Sequence, residues 1–160
     1  MTVHLIRYKM LLVFFTIGLI TILIIISSAG TVLGDLVTAA IPVGKFPQAL
    51  IFNPSNNNIY VANRDSGTVS VIDSTNNTLL RNVVVGSEPV ALEFNPSNNN
   101  IYVANVVSNS VSMIENRNNT VSDTVNVNSL PIALEFNPSN GSVYVAGTLT
   151  GTEGLVSVIG

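Results

Sequence analysis

Two carboxylates stand at matching positions of this sequence and are its first candidates for chemistry. Glu93 and Glu135 each lie in the stretch Ala-Leu-Glu-Phe-Asn-Pro-Ser-Asn, whereas an earlier copy of that stretch has Ile51 in their place. Carboxylates that face each other can act as general acid and base, or can bind a cation. The alternative is a pair of solvated side chains without a ligand, which is the interpretation we favour.

The other side chains of enzyme chemistry are missing from residues 31–160, which contain no histidine and no cysteine. A Ser-His-Asp triad, a thiol nucleophile and a disulfide are therefore excluded for this part of the chain. The loop Asp73–Asn77 carries oxygen ligands but lacks the Asp/Asn alternation and the terminal Glu of a calcium loop. The sequence accordingly predicts no catalytic residues, no metal site and no cofactor.

Three further side chains are weak candidates for contact with a ligand. Asn63 and Asn105 end equivalent predicted strands, where an asparagine usually bonds its own turn. Glu153 lies in the segment Gly147–Gly154, which is longer than the matching segments before it. Long loops on a rigid scaffold often carry function, so this segment is the best candidate for a specific contact. The alternative is that the loop of this last repeat has diverged in sequence and length without gaining a function.

Three triplets match the Asn-X-Ser/Thr acceptor of N-glycosylation. They are Asn76-Asn-Thr78, Asn118-Asn-Thr120 and Asn140-Gly-Ser142, and all three fall in predicted turns. Turn chemistry alone favours the same residues, so glycosylation and plain turn structure both stay open at Asn76, Asn118 and Asn140.

These positions recur because the chain is built from a repeat of 42 residues. The segment from Pro47 to Asn63 returns almost letter for letter from Pro89 to Asn105, and once more from Pro131 to Gly147. Chance does not produce two such matches at the same spacing. The repeats occupy approximately residues 47–88, 89–130 and 131–160.

Each repeat predicts four short strands, and those of the first copy are Gln48–Phe52, Asn58–Ala62, Thr68–Ile72 and Thr78–Val85. Both faces of the second strand are apolar, which is typical of a sheet that is covered on both sides. Four strands in about 40–45 residues are typical of one blade of a β-propeller. The predicted fold is therefore all-β, with three four-stranded antiparallel propeller blades after an N-terminal hydrophobic helix.

The second strands carry the most distinctive motif, and each is followed by a Val-Ser-Val-Ile-like strand. The motif reads Tyr60-Val-Ala-Asn63, Tyr102-Val-Ala-Asn105 and Tyr144-Val-Ala-Gly147. In this respect residues 41–160 resemble the YVTN-type β-propeller repeats of archaeal surface-layer-like and secreted bacterial proteins. Alanine stands where that family has threonine, and Gly147 replaces the last asparagine. The resemblance implies a propeller fold and leans towards an archaeal source, but it implies no single activity.

Three blades are fewer than the roughly 4–8 blades of a closed propeller. Leu36–Val43 aligns with the fourth strand of the first repeat. The sequence therefore predicts one additional fourth strand before the first blade, whereas the third blade has no fourth strand. Three interpretations stay open. Two chains could join head to tail in a six-bladed ring, the chain could be a fragment or decayed relative of a longer propeller, or it could be an open arc of three blades.

Residues 1–30 differ in kind from the repeats. Arg7 and Lys9 precede the apolar run Met10–Ile26, and small residues follow it. This pattern indicates either a cleaved export signal or an uncleaved transmembrane anchor, and both place residues 31–160 outside the cytoplasm. In that exported part only four basic side chains oppose nine carboxylates, which argues against binding to nucleic acid.

We therefore expect a module that is secreted or held on the extracellular side of the membrane, with a role in binding or in envelope structure and without enzyme activity. The expected partners are the membrane through residues 1–30, a second copy of the chain, and a cell-surface protein or glycan. The alternatives are a truncated relative of an extracellular propeller enzyme of the lyase or hydrolase type, and an inert gene fragment. Polar residues from all blades that cluster at one mouth of the central channel of the propeller would favour the enzyme.

Overall fold

A computed structural model of the chain describes residues 11–17, 20–26, 36–149 and 153–160. The chain divides into two compact units, Met1–Thr38 and Ala39–Gly160. The first unit holds an antiparallel pair of strands, β1 (Leu11–Ile17) and β2 (Ile20–Ile26).

The structure differs from the hydrophobic helix that the sequence predicts for this unit, since residues 11–17 and 20–26 are strands. Hydropathy and length indicate a helix, but β-branched side chains dominate the segment, above all Ile22 and the run Ile24–Ile26. Such side chains favour the extended backbone of a strand. Among the described residues, no helix has the length and apolar character needed to cross a membrane. The small residues that follow the apolar run, where an export signal would be cleaved, lie outside them.

The second unit consists of three antiparallel sheets, which we call blades 1, 2 and 3 and which follow one another along the chain. Blade 1 contains β3 (Pro47–Asn53), β4 (Asn58–Asn63), β5 (Thr68–Asp73) and β6 (Thr78–Val84). Blade 2 contains β7 (Pro89–Asn95), β8 (Asn100–Asn105), β9 (Ser110–Glu115) and β10 (Thr120–Asn126). Blade 3 contains β11 (Leu130–Phe136), β12 (Val143–Thr148) and β13 (Gly154–Ile159). The predicted all-β fold and its blades are confirmed, and the fourth strand missing from the third repeat is missing from blade 3.

The turns explain why the sequence is so rich in asparagine. Asn57, Asn77, Asn99 and Asn119 each end a four-residue turn with a positive φ between 55° and 61°. Asparagine tolerates this left-handed conformation better than most residues, because its short polar side chain can bond locally. The repeat therefore places asparagine where the backbone reverses.

The hydrophobic core lies between the blades. Tyr60, Val69 and Val71 of blade 1 are fully buried against Ile101 and Val103 of blade 2. A second cluster joins blades 2 and 3, and it contains Tyr102, Val111, Val127, Val143 and Val145. The prediction that apolar residues cover both faces of the second strand is thereby explained, since blade 2 is packed on both sides.

The blades spread apart like wedges. The first strands are innermost, where β3 contacts β7 and β7 contacts β11, whereas the outermost strands β6 and β10 barely touch. The loops fall on two opposite faces. The upper face carries the links between blades and the loops after each second strand, and the lower face carries the other turns. A backbone bond from Val85 N to Gly67 O on the upper face, and one from Ser74 N to Asn57 O on the lower face, join neighbouring loops.

Leu36–Val43 does not form the spare strand that the sequence predicts. Residues 36–43 have no strand pairing, and Leu36 and Val37 are exposed. A strand needs a neighbour to bond its backbone groups, and no described strand pairs with this segment.

Candidate functional site

The structure brings the two predicted carboxylates together on the innermost strands. Glu93 lies on β7 and Glu135 on the adjacent β11, opposite Tyr102 and Tyr144 of their own blades. Partial burial and the charge of Glu135 raise the pKa of Glu93 above its ordinary value. In the described part of the chain, no group of three or more His, Cys, Asp or Glu side chains is close enough to hold a metal ion.

Asn63 and Asn105 make contacts inside their own blades. The Nδ2 atom of Asn63 donates to Ser70 Oγ at 2.8 Å, and that of Asn105 donates to Ser112 Oγ at 2.9 Å. Both side chains are fully buried, and their Oδ1 atoms have no hydrogen-bond partner in the residues that the structure describes. Buried amides in this arrangement join two strands of one blade and present no surface to a ligand.

The three glycosylation triplets all lie on the lower face. Asn76 and Asn118 stand in turns after the third strands of blades 1 and 2, and Asn140 stands in the first turn of blade 3. All three side chains are exposed. Asn76 Oδ1 accepts from the Oγ1 atom of Thr78 at 2.7 Å, and Asn118 Oδ1 accepts from Thr120 in the same way.

A polar cleft of about 430 Å³ opens on the upper face at the junction of blades 2 and 3. Its walls are amides, hydroxyls and two leucines, with no charged side chain among the described lining residues. They are Ser108, Asn109, Asn126, Asn128, Ser129, Leu130, Thr148 and Leu149.

The matching junction between blades 1 and 2 has a different chemistry. There Arg64, in the loop after β4, forms an ion pair of 2.7 Å with Glu88, in the link between β6 and β7. This ion pair raises the pKa of Arg64. The repeat places Val106 and Leu130 at these two positions in the next junction. The ion pair of the first junction is thus replaced by two apolar side chains at the second junction.

The backbone around the cleft differs because one pair of residues is exchanged. In blades 1 and 2 the link carries a glycine and the strand an asparagine, as with Gly86 and Asn105. A Cβ atom on Gly86 would lie 2.7 Å from Asn105 Cβ, so these positions are in close contact. In blade 3 the order is reversed, with Asn128 in the link and Gly147 in the strand. A Cβ atom on Gly147 would lie 2.6 Å from the carbonyl oxygen of Leu130.

The exchange gives the link into blade 3 its own conformation. Asn128 has a positive φ of 52°, and β11 begins at Leu130, one residue before the matching proline that begins the first strands of the other blades. Sequence reasoning noted Gly147 as a departure but missed the compensating Asn128, and with it the cleft. Comparing the two positions as a pair would have revealed the exchange.

The predicted contact segment Gly147–Gly154 reaches this cleft with two of its described residues. Thr148 and Leu149 line it, and Leu149 N donates to Glu153 O at 2.9 Å. Glu153 is exposed and is not among the lining residues. Residues 150–152 lie outside the described part of the chain.

Wedge-shaped antiparallel blades around innermost first strands define the chain as a β-propeller protein. The model of the YNCE-like β-propeller family matches residues 24–150, and the chain belongs to this family. No curated protein matches the sequence.

Several solved structures are similar to the chain. Hydrazine synthase of Kuenenia stuttgartiensis is 20% identical with a TM-score of 0.66 over 79% of this chain and 36% of its own. A protein of unknown function from Desulfotomaculum acetoxidans is 21% identical, with a TM-score of 0.58 over 74% of this chain and 43% of its own. The Cps50 (Swd1) β-propeller domain of Myceliophteria thermophila is 16% identical, with a TM-score of 0.60 over 77% of this chain and 40% of its own. The chain thus spans less than half of the length of each, and the likeness at this identity is one of fold.

Proposed function

We propose that the chain is a non-catalytic binding module of the cell exterior that takes a neutral polyhydroxylated ligand, a glycan, in the cleft between blades 2 and 3. The observation that carries this proposal is the composition of the cleft wall. Amides and hydroxyls such as those of Asn126 and Thr148 donate and accept hydrogen bonds as sugar hydroxyls require, and Leu130 and Leu149 offer apolar contact to C–H groups. The described lining residues carry no charge that would select an ionic ligand.

Export is the part of the proposal that rests on the N-terminal sequence. The basic residues Arg7 and Lys9 before an apolar run favour a secretion signal or an anchor, and the YVTN-type motifs are typical of surface and secreted proteins. The acidic balance of residues 31–160 supports a partner other than nucleic acid.

Titration calorimetry with a panel of neutral oligosaccharides tests the binding proposal. We expect Asn126→Ala and Thr148→Ala each to weaken the affinity by about fivefold, since a lost hydrogen bond is worth about 1 kcal/mol. Asn118→Ala on the lower face is the matched control and should leave the affinity unchanged. Equal losses in all three variants, or no binding to any neutral sugar, would overturn the proposal.

The second candidate is a truncated relative of a propeller enzyme, and one observation favours it. Glu93 has a raised pKa beside a second carboxylate, and perturbed carboxylates of this kind occur at catalytic sites. Turnover of a glycan by the chain that Glu93→Gln abolishes would favour the enzyme over the binding module.

A further inference from the structure

Two blade faces have no partner blade within the described residues. On blade 3, Tyr144, Val156 and Val158 share one side of the sheet, and the two valines are 59% and 56% exposed; we call this the tail face. On blade 1, Leu50 and Phe52 are 71% and 47% exposed, and we call them the head face. Contiguous exposed apolar surface of this kind marks a site of association.

The tail face repeats a surface that is covered elsewhere in the chain. Strand pairing places its three residues at the positions of Tyr60, Val69 and Val71 in blade 1. All three of those side chains are fully buried, because blade 2 packs on them.

The head face repeats the surface that does the covering. The residues that match Leu50 and Phe52 are Leu92 and Phe94 of blade 2, which pack on the core cluster of blade 1. Leu134 and Phe136 of blade 3 pack in the same way on blade 2. Each chain therefore exposes both halves of a contact that it already makes twice. We infer that the head face of one copy packs on the tail face of a second copy of this chain, an association that goes beyond the proposed function.

Polar groups at the lower rim support the same partner. Between blades 1 and 2, Tyr60 Oη donates to Asn119 Oδ1. The matching residues on the two unpartnered faces are Tyr144 and Asn77, and the positive φ of Asn77, 59°, is close to that of Asn119, 55°. The acceptor is thus already held in the conformation that the internal contact uses.

The unpaired segment 36–43 fits the same arrangement. It aligns with residues 78–85, which supply the fourth strand of blade 1, and β13 of blade 3 has a strand neighbour on one side only among the described strands. Ile41 stands at the position of Val83, which is buried in the core cluster. A second copy that docks by its head face carries this segment to the open edge of β13, where main-chain hydrogen bonds extend the sheet.

Head-to-tail contacts either close into a ring or continue into a filament. Two copies of three blades make six, within the roughly 4–8 blades of closed propellers. We therefore expect a dimer with two identical contacts, in which each copy uses its head face and its tail face once.

Native mass spectrometry of the full chain in mild detergent, between about 1 and 100 μM, tests this inference. The wild-type chain should be a dimer. Leu50→Glu on the head face and Val158→Lys on the tail face should each weaken the dimer at least tenfold. Both residues are exposed in the single chain, so its fold should survive either change. Val107→Glu replaces an equally exposed valine outside both faces, and it should leave the dimer intact.

Mixing the two disrupted variants distinguishes a head-to-tail contact from a symmetric one. A mixed dimer of Leu50→Glu with Val158→Lys has one wild-type contact and one that pairs the new glutamate with the new lysine. Mixing should therefore restore dimers of the intermediate mass. A monomeric wild-type chain throughout this concentration range overturns the inference, and so does a failure of mixing to restore dimers or an equal loss with Val107→Glu.

Discussion

At the scale of single residues, blades 1 and 2 each place an asparagine side chain against a glycine of the preceding link. Gly44 meets the side chain of Asn63, Gly86 meets that of Asn105, and the third copy exchanges the two types. At these two contacts only one position can carry a side chain, because a Cβ atom on the glycine would overlap the asparagine side chain. In the third copy a Cβ atom on Gly147 would instead meet Ser129 and Leu130 of the link.

This contact predicts the effect of adding one methyl group. Gly86→Ala would place a Cβ atom 2.7 Å from Asn105 Cβ and against Ser108 Oγ, and should lower the free energy of unfolding by about 1–3 kcal/mol, as overpacking does. Gly154→Ala is the control, because its nearest heavy atom would be 3.9 Å away. Urea denaturation measures both.

A double variant checks the physical cause. Asn105→Gly added to Gly86→Ala removes the clashing side chain, so part of the loss should be recovered, with a coupling of at least about 0.5 kcal/mol. Strictly additive losses would contradict the close contact that we assign.

At the residue scale the repeat shows which side chains are equivalent. Glu93 and Glu135 share a repeat position and lie on the neighbouring first strands β7 and β11, but whether they form a site stays a prediction. The sequence did not predict the cleft between blades 2 and 3. The cleft depends on the exchange of residue types at Asn128 and Gly147 and on the backbone conformation of the link between β10 and β11.

At the scale of elements, the strands of the repeats agree with the sequence to within about one residue, because three copies of one pattern constrain the same boundaries. The N-terminal segment did not follow its prediction, since hydropathy and length are shared by helices and strands and the β-branched content favours the strand. Leu36–Val43 has the pattern of a strand, but pattern alone supplies no partner. A strand forms only where a neighbouring strand bonds its backbone groups, and the repeat spacing does not show whether such a neighbour is present.

Contacts between blades predict unequal roles for equivalent tyrosines. Tyr60 Oη accepts from Asn56 at 2.9 Å and donates to Asn119 of the next blade, whereas Tyr144 bonds Asn140 of its own exposed turn. Tyr60→Phe should therefore lower the unfolding free energy by about 1–2 kcal/mol, because it leaves partly buried groups unpaired. Tyr144→Phe is the matched control and should cost less than about 0.5 kcal/mol.

Thermal unfolding at concentrations where the chain is monomeric compares the two variants without any contribution from association. Equal losses in both would show that the bond across the blades adds nothing to stability, which would contradict its assigned role.

At the scale of the whole molecule, the two faces of the propeller differ in chemistry. The upper face carries the cleft and the described ends of the longer loop, and the lower face carries all three Asn-X-Ser/Thr triplets. Glycans attached there would leave the cleft uncovered, so glycosylation and ligand binding are compatible on one molecule.

This asymmetry predicts where modification occurs. Peptide mass mapping of the protein from the cells that produce it naturally should find glycans at Asn76, Asn118 or Asn140. The Asn-Pro-Ser triplets that begin at Asn53 and Asn95 are internal controls, since proline blocks the acceptor motif and both asparagines are buried. Because glycosylation of these triplets requires passage out of the cytoplasm, a glycan on the lower face would also support the proposed export. Unmodified peptides at all three positions would contradict the prediction and leave the asparagines with the turn role that their side-chain bonds already show.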